Sequence, residues 1–363
     1  MSAARGVLAL AVFARGVLGG LYPGLSTANH TCSLVSPVLS CSSGAQPGLV
    51  DTCCTETFGG LILQTQFWDT YTGLESTGQL LPKDSWTIHG LWPDFCNGSY
   101  TQYCDLSRQY DPVPAPNTTT GTATGTPVPP WTGAPISDFI KSFQKYDLLA
   151  FMNKYVRREF PLPYSLSSPV SSLPPIHHAK NLHTQSVHHP NPRPPRYWIG
   201  QNQPSWALWA HEFSKHATCF SSFDTECYGP AYTAHAEVPD FFATVVSYYQ
   251  ALPTWRWLAE GGIRPSNATR YSVADIQHAL KGKFGKLPYI GCSGPRFNET
   301  EAGRGSADNG YTVLSEMWYY YHVRGRVQRV DGVPIDVSGS ATSCATSKKA
   351  IWYYERTPHS VAR

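Results

Sequence analysis

No stretch of the 363-residue chain holds the roughly 18 uninterrupted apolar residues that a membrane-crossing helix needs, so no transmembrane span is expected. Charge is scarce as well. The 28 lysines and arginines against 25 aspartates and glutamates leave a net charge of +3. That is too little for a protein that binds nucleic acid over a broad surface, so any such contact must be local to a cleft. The cysteines include no Cys-x-x-Cys pair, which argues against a zinc ribbon or a thioredoxin-type redox site. Strands and helices do not alternate regularly along the chain. That argues for an α+β fold rather than a parallel βαβ architecture.

What is present points to an oxidising compartment. Ten cysteines, an even number, imply full pairing outside the reducing cytosol, while the connectivity stays open at this level. Five Asn-x-Ser/Thr triplets, at Asn29, Asn97, Asn117, Asn267 and Asn298, are candidate glycosylation sites and support secretion, with a vacuole as the alternative destination. Residues 1–27 read as a signal peptide: an apolar run at 6–14 follows Arg5, Arg15 interrupts it, and a second apolar patch covers 16–21. Residues 28–363 then form one domain. The 11 tryptophans and 21 tyrosines suit a well-filled core and stacking surfaces rather than disorder.

Two short stretches carry the chemistry: Trp86-Thr87-Ile88-His89-Gly90-Leu91-Trp92-Pro93 and His211-Glu212-Phe213-Ser214-Lys215-His216-Ala217-Thr218-Cys219. The first is strand-prone and punctuated by Gly90 and Pro93. The second fits a helix that starts near Pro204-Ser205, with the serine as N-cap and Trp206, Leu208 and Trp209 supplying buried surface. At about 100° per residue His211 sits at about 0°, Lys215 at about 40°, Glu212 at about 100° and His216 at about 140°. Four functional groups share one arc, and Phe213 and Ser214 point away. Such a face is either solvated or the wall of a cleft. A zincin pair needs histidines at i and i+4; these stand at i and i+5, and Lys215 occupies the i+4 position, so no metal is expected. Alone, His89 would read as a core histidine.

The two stretches resemble the active-site segments of the ribonuclease T2 family in its fungal form, and the resemblance covers about residues 30–345 apart from one insert. It implies an α+β fold in which an antiparallel sheet packs with helices and disulfides staple the whole. It also implies an endoribonuclease without cofactor that cleaves single-stranded RNA by transphosphorylation, giving a 2′,3′-cyclic phosphate and then a 3′-phosphate. DNA, which lacks the 2′-hydroxyl, is expected to be inert. By the same resemblance His216 is the general base, His89 the general acid, Glu212 and Lys215 stabilise the phosphorane, and His211 holds the phosphate. Two imidazoles that titrate near the working pH can serve as base and acid without a metal. Trp92, Asp94 and Tyr100 stand where family members stack and hydrogen-bond the base, and stacking implies a broad base preference. The alternative is that Trp92 and Tyr100 are core residues. The implied disulfides are Cys32–Cys54, Cys41–Cys96, Cys53–Cys227, Cys104–Cys219 and Cys292–Cys344, and a monomer is expected. One departure stands out: family members carry glycine where this chain has Ala217, which would cost about 1 kcal/mol if that residue needed a positive φ or close backbone packing. A secreted relative that binds without cleaving RNA is the rival reading. A glycan-binding module rests on aromatics and cysteines alone.

Residues 113–135, rich in Pro, Thr and Gly, read as a surface loop. A helix is expected over 136–160, another from Pro239 to Leu258, and a third after Ser272-Val273-Ala274-Asp275. The run from Tyr311 to Val330 reads as strand, and 351–354 as a final edge strand or tail. Residues 161–197 hold nine prolines, five histidines, three basic residues and no acidic one. The basic residues, Lys180, Arg193 and Arg196, account for the whole net charge. This insert is either a disordered loop that adds cationic contacts near the cleft or an intron read through into the chain. The second is preferred, because structureless loops of this length are uncommon inside compact domains. Metal binding by its histidines is not expected.

Overall fold

The computed structural model describes residues 32–152, 196–294, 310–337 and 339–362. The signal peptide, Asn29, Asn298 and nearly all of the insert at 161–197 lie outside the described residues. The framework is a sheet of seven strands: β1 (Leu61–Phe67), β2 (Thr87–Asp94), β3 (Arg270–Tyr271), β4 (Tyr289–Ser293), β5 (Thr312–Val323), β6 (Gly332–Ile335) and β7 (Ile351–Trp352). Their order is β2-β1-β5-β7-β3, with β4 and β6 also paired to β5. Every pairing is antiparallel except β5 with β7. Six helices accompany the sheet among the described residues: α1 (Ile136–Ser142), α2 (Tyr146–Met152), α3 (Ser205–Lys215), α4 (Glu237–Gln250), α5 (Thr254–Glu260) and α6 (Val273–Phe284).

Strand alternation divides the sheet into two faces. Ile62, Ile88, Leu91, Met317, Tyr319 and Tyr321 share one large core with Leu208, Trp209 and Phe213 of α3 and Phe241, Phe242 and Val245 of α4. Each such side chain contributes roughly 1.5–3 kcal/mol over leaving it in water. The opposite face carries a smaller cluster, Leu61, Leu63 and Tyr320, with Trp92 and Trp318 packed against it. That second face matters for function.

Several sequence expectations need adjustment. Ser205 is the first residue of α3 rather than its cap; Pro204 stands at the N-cap, and the Ser205 hydroxyl is taken by Gln79 Oε1 (3.0 Å) and the Gly200 N–H (3.3 Å). The helix expected over 136–160 breaks into α1 and α2 where Gln144 takes a φ of 57°. The apolar period lapses there between Phe143 and Leu148; residues 153–160 lie outside the described region. Pro253, which offers no N–H, separates α4 from α5. The strand read from Tyr311 ends at Val323, and a 3-10 turn follows at Val327–Arg329. Strand β7 is no edge, because it lies between β5 and β3. Helix α6 is entered through a capping box of Ser272 and Asp275. The central strand β1 had no clear signal, because Gln64, Thr65 and Gln66 are polar yet fully buried.

All ten cysteines are paired, in the five pairs that the resemblance implied. Cys104–Cys219 joins the segment after β2 to the turn after α3 across 115 residues of chain. Closing a loop of that size contributes about 4–5 kcal/mol on the chain-entropy account. Beside it the Tyr103 N–H donates to the Lys215 carbonyl at 3.0 Å and the Cys104 N–H to the Thr218 hydroxyl at 3.1 Å. Residues 113–135 hold no helix or strand, and Asn97, Asn117 and Asn267 are exposed. No helix among the described residues is long and apolar enough to cross a membrane.

Candidate active site

Plain alternation along β2 would turn His89 to the face opposite Trp92 and Asp94. The register prevents this. Gly90 pairs with Thr65 and Ile88 with Gln66, so His89 is the extra residue of a β-bulge. A bulge re-aims the side chain it carries. Here it turns His89 towards the face of Trp92 and Asp94, where the imidazole stacks on Phe67 with ring centroids 3.7 Å apart. The next residue is glycine for a steric reason. A Cβ on Gly90 would lie 1.8 Å from Glu212 Oε2 and 2.8 Å from Trp92 Nε1. The missing side chain is the space through which the carboxylate of α3 reaches the strand.

Helix α3 delivers the second group. His211, Glu212 and Lys215 lie in its last turns, and His216 follows at the C-cap, its N–H bonded to the Glu212 carbonyl at 3.2 Å. Phe213 and Ser214 face the interior, as the helical spacing requires. His89, Trp92, Asp94, Tyr100, His211, Glu212, Lys215 and His216 all line one cavity of about 430 Å³, with Leu63, Gln102, Trp318 and Tyr320 among its other walls. A second cavity, of about 450 Å³, adjoins His89 and His211 from the side of Phe67, Asp69 and Asp111. The two histidines therefore border both spaces.

The site is tightly wired. The fully buried Glu212 accepts the Trp92 indole N–H at Oε2 (2.9 Å), and its Oε1 lies 3.5 Å from His89 Nε2. Trp92 stacks on His216, with centroids 5.1 Å apart and planes 20° apart, and meets Trp318 edge-on. His211 Nδ1 lies 2.7 Å from Oδ2 of the buried Asp111, which also accepts the Tyr103 hydroxyl at 3.1 Å. Lys215 Nζ donates to the Ala115 carbonyl at 3.3 Å. Burial holds His216 well below the ordinary imidazole range, and the positive charges of Lys215, His211 and His89 push the same way. Burial also lowers the Lys215 ammonium, while Glu212 and Asp111 offset part of that effect. His216 is thus held neutral, able to take a proton, beside a cation. Ala217 opens a buried 3-10 turn without a positive φ, so its methyl meets no backbone objection of that kind.

Burial pushes the Asp94 carboxyl up to about 7 and that of Asp69 to about 6. A raised value means the folded protein holds the proton more tightly than the unfolded chain. The resulting stability is complete below the ordinary carboxylate value and is lost as pH rises through about 7. Asp94→Asn is expected to lose this dependence. Its melting temperature relative to the wild type should rise between about pH 4 and about pH 8. A constant difference across that range would contradict the assignment. His216 has the opposite linkage, but it is common to both proteins and cancels.

Sequence reasoning missed Glu316, whose Oε1 lies 2.9 Å from His89 Nδ1, and Asp111 beside His211. A carboxylate alternating with Trp318 and Tyr320 along a strand was a usable signal for the first. Asp111 carries no local signal. Among the described residues no group of three or more His, Cys, Asp and Glu side chains is arranged to hold a metal ion.

The model of the Ribonuclease T2 family matches residues 59–157 and 181–324, and the unmatched stretch between them overlaps the insert. The chain is 31% identical to Ribonuclease Trv of Hypocrea rufa over 87% of its own length and 96% of that protein's. It is 30% identical to Ribonuclease T2-like 1-A of Candida albicans over 88% of its own length, but it spans 58% of that relative. Among solved structures it is similar to that of Actibind, described as a T2 ribonuclease. The TM-score is 0.55 at 27% identity, with 88% of this chain and 96% of that one covered.

Proposed function

The chain belongs to the ribonuclease T2 family, and on that footing we propose that it is an endoribonuclease that cleaves single-stranded RNA by transphosphorylation. One observation carries the mechanism. Two imidazoles line one cavity in different surroundings: His216 is kept neutral by burial and neighbouring cations, while His89 sits between the carboxylates of Glu212 and Glu316. The neutral ring takes the proton of the ribose 2′-hydroxyl. The oxygen attacks phosphorus, and the 5′-oxygen leaves with a proton from His89. Charge gathers on the equatorial oxygens of the phosphorane, where Lys215, His211 and Glu212 are positioned to act. The ammonium and the imidazole stabilise it directly, and a protonated Glu212 would do so by hydrogen bonding. The product is a 2′,3′-cyclic phosphate, hydrolysed later to a 3′-phosphate.

The first cavity takes the base on the 5′ side. Trp92 and the 68% exposed Tyr100 offer π-faces, and Asp94 offers a carboxyl to the base edge. Stacking tolerates every base, so broad preference follows. Trp92 does double service, because its ring also backs His216 and its N–H holds Glu212. The second cavity leaves room for the next nucleotide. The five disulfides suit an oxidising compartment and hence a secreted enzyme.

The test is an incubation with yeast RNA and with a DNA single strand, with and without EDTA, from about pH 4 to about pH 7. Acid-soluble fragments ending in cyclic phosphate are expected from RNA in both conditions and none from DNA. Loss of cleavage in EDTA would replace this mechanism by a metal-dependent one. Binding of RNA without any fragment would favour the reading of a protein that binds and does not cut.

A further inference from the structure

We propose that Glu316 is a positioning residue for His89, engaging Nδ1 and so keeping Nε2, rather than Nδ1, towards the reacting phosphate. This rests on the reading of His89 as the general acid.

The sheet builds the contact. Glu316 on β5 pairs in register with Phe67 on β1, and the bulged His89 of β2 lies flat on that phenyl ring. The imidazole thus reaches over one strand to the next, where Nδ1 stands 2.9 Å from Oε1 of Glu316. The contact lies off the line of a linear hydrogen bond, and a small turn of the ring would align it. Glu316 itself is held. Its Oε2 accepts the Trp318 indole N–H at 3.2 Å, and its side chain is 21% exposed. Room for it comes from Gly291 on β4, where a Cβ would fall 2.8 Å from the Glu316 Cβ. With Nδ1 occupied, Nε2 is the nitrogen left facing Glu212 and the cavity.

The charges around His89 come from every side. Glu316 approaches from β5, Glu212 from α3 and Asp69 from the segment after β1, while Lys215 and His211 bring positive charge from α3 and the neutral His216 stands at its end. Glu316 is the closest of the carboxylates. Without it the balance of charge around the ring moves towards the cations of α3. The ring is also free to present either nitrogen.

The experiment uses the full chain with Glu316→Gln and Glu316→Asp, two substrates and a histidine titration. On a dinucleoside monophosphate, Glu316→Gln is expected to move the alkaline limb of kcat down by about one pH unit and to lower the plateau about tenfold, with KM unchanged. Glu316→Asp should restore part of both. On uridine 3′-(p-nitrophenyl phosphate), whose leaving group needs no proton, the loss should shrink to less than about twofold. A purely structural role would depress both substrates equally. An unmoved alkaline limb, or equal losses on the two substrates, overturns the proposal. If Glu316→Gln does not fold, nitrogen NMR of the wild type decides. A proton on Nδ1 in the neutral ring supports the pairing, and a bare Nδ1 overturns it. The underlying reading fails separately: should His89→Ala still cleave the dinucleoside, His89 is not the acid, whatever Glu316 does.

Discussion

Replacing His216 by alanine is expected to slow RNA cleavage by about 10³–10⁴-fold, near the upper range for losing a proton-transfer group. The reason lies in where the imidazole sits. It is buried, backed by Trp92 and surrounded by Lys215, His211 and His89, so it stays neutral in solutions acid enough to charge an ordinary histidine. No other described group shares that combination at the cavity. Glu212 is occupied by Trp92, and Asp94 lies beyond it along β2. The pH profile adds a check. In the wild type the acid limb reports His216 and should fall below the ordinary imidazole value of about 6.5. In His216→Ala that limb should vanish while binding of a product nucleotide stays within about threefold. Residual activity within about tenfold of wild type would remove His216 from the role of base.

The second large effect comes from a single methyl group. Gly90→Ala would set a carbon 1.8 Å from Glu212 Oε2, a distance no packing tolerates. Glu212 has no solvent to retreat into. Either its carboxylate swings away from Trp92 and His89 or β2 lifts from the helix end. Overpacking of this kind costs about 1–3 kcal/mol, and a displacement near 1 Å at a reacting centre can cost about 100-fold in rate. Melting temperature and kcat should both fall. Gly282→Ala in α6 is the control, because nothing stands within 4 Å of its added carbon. It should be neutral or slightly stabilising, as alanine is the better helix former. Similar behaviour of the two variants would show that Gly90 does not hold the strand and the carboxylate together.

These two residues also mark what could be read from the chain without coordinates. The segment around His216 was legible, because a helix fixes angles between neighbours and four polar groups at that spacing share an arc. Helix α6 was legible from its capping box. The strand containing Gly90 was legible as a strand, but its bulge was not. Nothing in Ile88-His89-Gly90 announces an extra residue, and without it His89 would point to the core. Strand β1 escaped notice because it buries Gln64, Thr65 and Gln66, polar residues some of whose hydrogen bonds run to partners distant in sequence, such as the Leu252 carbonyl for Gln66. Glu316 escaped for the same reason. Its meaning depends on Phe67 and His89, each more than two hundred residues away, and register over such a span is a property of the sheet rather than of either segment.

That long span has a consequence for the chain as it is made. Strand β1 emerges early and finds β2 within a few dozen residues, but its other neighbour, β5, begins at residue 312. A ribosome that has reached the end of α3 has delivered His89, His211, Glu212, Lys215 and His216, yet not Glu316, Trp318 or Tyr320, and β1 still shows a bare edge. The floor beneath His89 arrives with the last seventh of the polypeptide. A nascent chain therefore carries both histidine segments past the RNA of its own ribosome before the sheet that aligns them exists.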